Sequence, residues 1–153
     1  MIQRDYIERL IEQCAEVLRR ALQLRRSHEL QPALRMVRDA QWEMLGPLRQ
    51  LVEQLEASSA VDVAGRSQLD RIRLYAVLVG EEGMIHKAQG DSASEYLCGR
   101  RALELYAAVS LAGGQLEQSD RDRLRVLGRA VDLGQLEPRY RDEIQRVTRG
   151  GRS

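Results

Sequence analysis

The stretch Gly83–Tyr106, GMIHKAQGDSASEYLCGRRALELY, decides the reading of the fold. Upstream of it an apolar stripe runs through Leu69, Ile72, Tyr75, Ala76, Val79 and Ile85, with the i, i+3, i+4 spacing of a half-buried helix. Gly90-Asp91 breaks that stripe. Ser92 with Glu95 three residues later then has the pattern of a capping box, and the helical spacing resumes through Ala102-Leu103-Glu104-Leu105 to stop at Gly113-Gly114. The stretch therefore predicts a helical hairpin, with helices over about 68–89 and 93–112.

Working outward, the same periodicity recurs and no strand pattern competes with it. Ile7, Leu10, Ile11, Cys14, Val17, Leu18, Ala21 and Leu22 share one stripe, predicting a helix over about 4–26 capped by Asp5 and Glu8 and closed by Arg25-Arg26. A second helix is expected from near Pro32, through Leu34, Val37, Met44 and Leu48 to Leu55. Gly46-Pro47 should kink or restart it, because proline removes a hydrogen bond and clashes with the preceding turn. ASSAVDVAGR, 57–66, is small and polar and reads as the longest loop. GQLEQSDRDRL from Gly114 and GQLEPRYRDEI from Gly134 match at an offset of 20 residues, and each supplies a turn, an apolar anchor (Leu116, Leu136) and a helix start. Those starts fall at Ser119 with Asp122 and at Pro138. The expected organisation is one all-α domain over 1–149 with six or seven antiparallel helices. It comprises N-terminal helices over 4–56, a hairpin over 68–112, C-terminal helices over 119–149 and a frayed tail over 150–153.

Gly83 to Leu105 resembles the middle and end of a tetratricopeptide repeat. Gly83 falls where that motif wants a small residue, Gly90-Asp91 at its inter-helix turn, and Ala102 at the close contact of its second helix. The chain departs from the motif at Glu82, Glu95 and Gly99, where leucine, alanine and an aromatic are usual. One copy is recognisable, and roughly three are needed for a stable stack, so the flanking helices are expected to serve as partners or caps. More loosely, MIQRDYI together with RRALELY is similar to a family of small bacterial helical proteins of unknown function. The resemblance implies a tetratricopeptide-like α-hairpin stack whose ligand-facing positions are Val77, Gly80, Met84, Lys87 and Ala88. Small and apolar residues with one lysine suit a groove for a segment of a protein partner.

Composition excludes several function classes. With 43% hydrophobic residues and no Phe, the core must be built of aliphatic side chains. A net charge of +1 leaves no global field to attract nucleic acid, although five arginines between Arg139 and Arg152 make an arginine-rich C-terminal helix the alternative binding element. No apolar run suits a membrane span and no signal core opens the chain, so a cytoplasmic location without membrane association is expected. Cys14 and Cys98 have no CxxC or Cys/His spacing. Glu82 and His86 stand at i, i+4 on one helix, but a metal site needs a further ligand that no local pattern supplies, so neither metal nor cofactor is expected. No nucleophile motif occurs. Trp42 sits one step off its apolar stripe and is expected at the core edge. The function expected is non-catalytic protein–protein interaction, as a small bacterial adaptor or scaffold open to self-association.

Overall fold

The computed structural model describes residues 2–149, with side chains from Arg4 onward. Its α-helices are α1 (Ile2–Arg26), α2 (Leu30–Leu45), α3 (Arg49–Gln54), α4 (Ala57–Ala64), α5 (Leu69–Ala88), α6 (Ser92–Leu111), α7 (Gln118–Ala130) and α8 (Pro138–Arg149). No strand occurs among the described residues, so the fold is all-α, as the periodicity predicts. The tail expected to fray, 150–153, lies outside the described residues.

The hairpin of α5 and α6 is the most extensive helix pair, and the others gather round it. α2 and α1 cover α5, α4 and α8 cover α6, and α7 lies against both. The close crossing has a local cause. A Cβ built at Gly83 would stand 3.2 Å from the Cβ of Cys98 and 3.5 Å from the carbonyl oxygen of Glu95, so only glycine lets α6 approach this near without displacement. Between the two helices the chain turns at Gly90, whose φ of +79° suits a residue without a side chain. Leu103, Leu105, Tyr106, Ile72, Leu78 and Ile85 lie fully buried at the centre of this packing.

Four local expectations are corrected. Residues 57–66 are not a loop: Ala57, Ala60, Val61 and Ala64 form a stripe of their own, and the first three are buried where α4 lies against α6, α3 and α5. The helix is anchored by Glu56, whose carboxylate accepts the Ser58 N–H at 2.7 Å, and by the Tyr140 hydroxyl, which donates to Glu56 and accepts from Ser58. Second, α6 is capped by Asp91 rather than Ser92, with the Asp91 carboxylate accepting the Ser94 N–H at 3.1 Å. Third, α7 starts at Gln118, one residue ahead of Ser119. Glu117 and Asp120 make its capping box, and Asp122 plays no part. Fourth, α1 begins at Ile2, so Asp5 lies within the first turn instead of before it.

Gly46-Pro47 ends α2 as expected, and a one-turn 3-10 helix over Gly46–Leu48 leads into α3. Arg71 donates to the Met44 carbonyl at 3.0 Å, and Arg101 donates to the Val52 and Leu55 carbonyls at the end of α3. Side chains thus satisfy the acceptors these helix ends leave open. Around the break, Leu45, Val52 and Ala60 pack as a small cluster separate from the main core. Trp42, expected at the core edge, is 43% exposed, and the Arg49 guanidinium stacks 3.6 Å above its ring.

Candidate functional site

The positions singled out on α5 divide by burial: Val77 is buried, Gly80 and Met84 are half-buried, and Lys87 and Ala88 are exposed. Val77, Gly80 and Met84 line a cleft of about 280 Å³ whose other walls come from Leu18 of α1, Tyr106 of α6 and Val126 with Leu127 of α7. Gly80, Met84 and Lys87 line a second cleft of about 480 Å³, which continues over Tyr96 and Gly99 to Arg129 and Val131. Ala88 lines neither. The two clefts share Gly80, Met84, Val126 and Leu127, so they form one furrow between α5 and α7.

Glycine opens this furrow. A Cβ at Gly80 would find its nearest neighbour, the Cδ1 of Leu127, 3.9 Å away, so the position has room that no side chain fills. Val126, 53% exposed, stands at the edge of the furrow. Charged side chains also line it. Glu81 lies 3.2 Å from Arg25, and burial raises its carboxyl above the usual range against the pull of that guanidinium. Lys87, Arg129 and Glu95 line the second cleft.

Beneath the first cleft lies a polar group that the sequence reading did not find. Asp120 is fully buried and accepts from Arg73 at 3.1 Å, from the Tyr106 hydroxyl at 3.1 Å and from the Glu117 N–H at 2.8 Å. In sequence Asp120 belongs to SDRDRLR, an alternation of charges that reads as a solvated face. Only the placement of α7 across Arg73 of α5 turns it inward. The Nε of Arg73 is buried without a partner.

A second polar cluster lies on the α5–α6 seam. Glu82, His86 and Cys98 bring a carboxylate oxygen, an imidazole nitrogen and a thiol to within 4.8 Å of one another. The sequence supplied no third ligand for the Glu82–His86 pair; the hairpin brings Cys98 to it. Gln41 donates to Glu82 at 2.8 Å, and Arg38 lies 3.3 Å from its other oxygen. Burial alone would raise the Glu82 carboxyl, but these donors and His86 outweigh it and hold the group below the usual range. Neither thiol is a ready nucleophile: burial pushes Cys98 up to about 12 and Cys14 up to about 11.

The arginine-rich C-terminal helix is largely matched by acids. Arg139 pairs with Glu137 and Glu56, Arg141 with Asp142, and Arg146 with Glu143 at 2.7 Å. No helix among the described residues is long and apolar enough to cross a membrane. Comparison of the chain with family models, with curated proteins and with solved structures finds no match.

Proposed function

We propose that this protein is a non-catalytic interaction module, an adaptor that holds an apolar helical segment of a protein partner in the furrow between α5 and α7. The observation that carries the reading is the furrow itself, an apolar channel floored by Val77, Gly80 and Met84 with Val126 exposed at its edge. Surface grooves of this kind take the apolar face of an amphipathic helix, anchored at i, i+3, i+4 positions. Met84 is suited to such a role because its unbranched thioether adapts to differing side chains. Lys87 and Arg129 would favour acidic residues on one flank of the partner helix and so fix its direction. The ion pairs of α8 supply a reason to prefer this reading to nucleic-acid binding, since a paired arginine has little charge left for phosphate.

The test is capture from a nuclease-treated lysate, with the wild-type protein and Met84→Glu as parallel baits. A partner held mainly by apolar contact should remain bound at salt high enough to shrink the Debye length to about 3 Å. Met84→Glu should weaken it at least thirtyfold, the scale of losing one hot-spot contact of about 2 kcal/mol. Circular dichroism would confirm that the variant folds. Equal retention by both baits would rule out the furrow, and retention of nucleic acid alone at low salt would transfer the function to the arginines of α8.

A further inference from the structure

We propose that Glu82, His86 and Cys98 form a binding site for a divalent transition-metal ion of the zinc type, bridging α5 and α6. One sulfur, one nitrogen and one oxygen donor make a mixed set that suits a borderline-soft ion and disfavours magnesium or calcium, which take oxygen. Tetrahedral zinc with bonds of 2.0–2.3 Å needs ligand atoms roughly 3.3–3.8 Å apart. The three atoms here lie within 4.8 Å of one another, so a movement of about 1 Å closes the set. Glu82 and His86 rise from one face of α5 at i, i+4, and their Oε2 and Nε2 are already 3.0 Å apart. Cys98 arrives from α6 because Gly83 lets the two backbones meet beside it.

The surroundings have the form of an outer shell. The Nδ1 of His86 faces the side-chain oxygen of Gln89 at 3.2 Å, which fixes the ring and leaves Nε2 for the ion. Gln41 holds the Oε1 of Glu82 at 2.8 Å, freeing Oε2 to turn to the metal. Arg38, the cation nearest this carboxylate, has a half-exposed side chain that can withdraw into solvent. Ordinary ion pairing accounts for Glu82 and His86. Cys98 adds a neutral thiol that donates to the Glu82 carboxylate, so that sulfur, nitrogen and oxygen donors meet at one point. The three groups leave a fourth coordination position, open to water or to a ligand atom from a bound molecule.

Binding has a balanced proton inventory. The Cys98 thiol is held neutral by burial and by the charges of Glu82 and Asp91, against the opposing field of Arg38. It gives up its proton to buffer as the sulfur–metal bond forms. Close to one proton should therefore be released from the thiol per ion bound.

The test uses the full chain after removal of metal by chelator, titrated with zinc and separately with cobalt as the spectroscopic probe. The expected result is one ion per chain, a melting temperature about 5–10 °C higher at a hundredfold excess over the dissociation constant, and a thiolate-to-cobalt charge-transfer band. Cys98→Ser and His86→Gln should each weaken binding by more than about a hundredfold, and Gln89→Ala by about tenfold. Cys14→Ala and His28→Asn, which alter the other cysteine and histidine, should leave the cobalt spectrum unchanged. A missing charge-transfer band, or one that persists in Cys98→Ser or disappears in Cys14→Ala, would overturn the assignment. These readouts do not depend on partner capture, so this site and the furrow stand or fall separately.

Discussion

Replacing Asp120 with alanine should cost about 3–5 kcal/mol of stability, the loss that follows when one member of a buried ion pair is removed. The carboxylate has no exposure to solvent and serves three donors at once: Arg73, the Tyr106 hydroxyl and the Glu117 N–H. Its removal leaves the Arg73 guanidinium buried with only the exposed Asp70 at 3.7 Å, and strips α7 of half its capping box. For a chain of this size the loss corresponds to a fall of about 6–20 °C in melting temperature.

A double-mutant cycle separates the ion pair from the rest. Arg73→Met alone should cost less than Asp120→Ala, because Asp120 keeps the Tyr106 and Glu117 donors and has Arg123 3.8 Å away. The coupling between positions 73 and 120 should be about 1–3 kcal/mol, as for residues sharing one network. Urea unfolding at constant m-value measures each corner of the cycle. Additive single and double mutants would mean that the pair contributes nothing as a pair and that Asp120 acts only as helix cap and hydroxyl acceptor.

The α5–α6 hairpin was legible from two signals that reinforce each other: a stripe at helical spacing and a break at Gly90-Asp91. α4 was not, for a definite reason. Its residues are small, and ASSAVDVA looks polar until Ala57, Ala60, Val61 and Ala64 are counted as a helical face. Alanine carries too little apolar surface to stand out, yet its absence of bulk is what lets α4 lie close against its neighbours. Asp120 and Cys98 were missed on other grounds. Their roles depend on residues 47 and 12–16 positions away, and no local spacing encodes which helix will cross above them. Trp42 was misplaced because a tryptophan one step off an apolar stripe is equally consistent with a core edge and with a ring covered by arginine; the position of Arg49 at the start of α3 decided it. Of the furrow, Val77, Gly80, Met84 and Lys87 were named from the repeat-like register, whereas Val126 and Leu127 of the opposite wall came into view only with the packing of α7.

Two glycines three residues apart on α5 should respond to substitution in opposite directions. Gly80→Ala should raise stability by about 0.5–1 kcal/mol: its backbone is helical, the added methyl has open space, and the unfolded chain loses freedom. Gly83→Val should lower stability by about 2–3 kcal/mol, because its side chain must enter the seam where α5 meets α6. The first methyl would already stand 3.2 Å from the Cβ of Cys98, and the neighbouring carbonyl of Glu95, at 3.5 Å, belongs to helical backbone that cannot rotate aside. Gly83→Ala should fall between them, the gain in helix propensity of about 1 kcal/mol offset by the tight contact. Denaturant midpoints compare all three. The seam variant carries a second consequence: by pushing Cys98 away from Glu82 and His86, Gly83→Val should abolish the cobalt–thiolate band in whatever fraction remains folded, whereas Gly80→Ala should keep it. Wild-type stability for Gly83→Val would mean that the helices do not cross closely at this position, and would take from Cys98 the approach on which its place beside Glu82 and His86 depends.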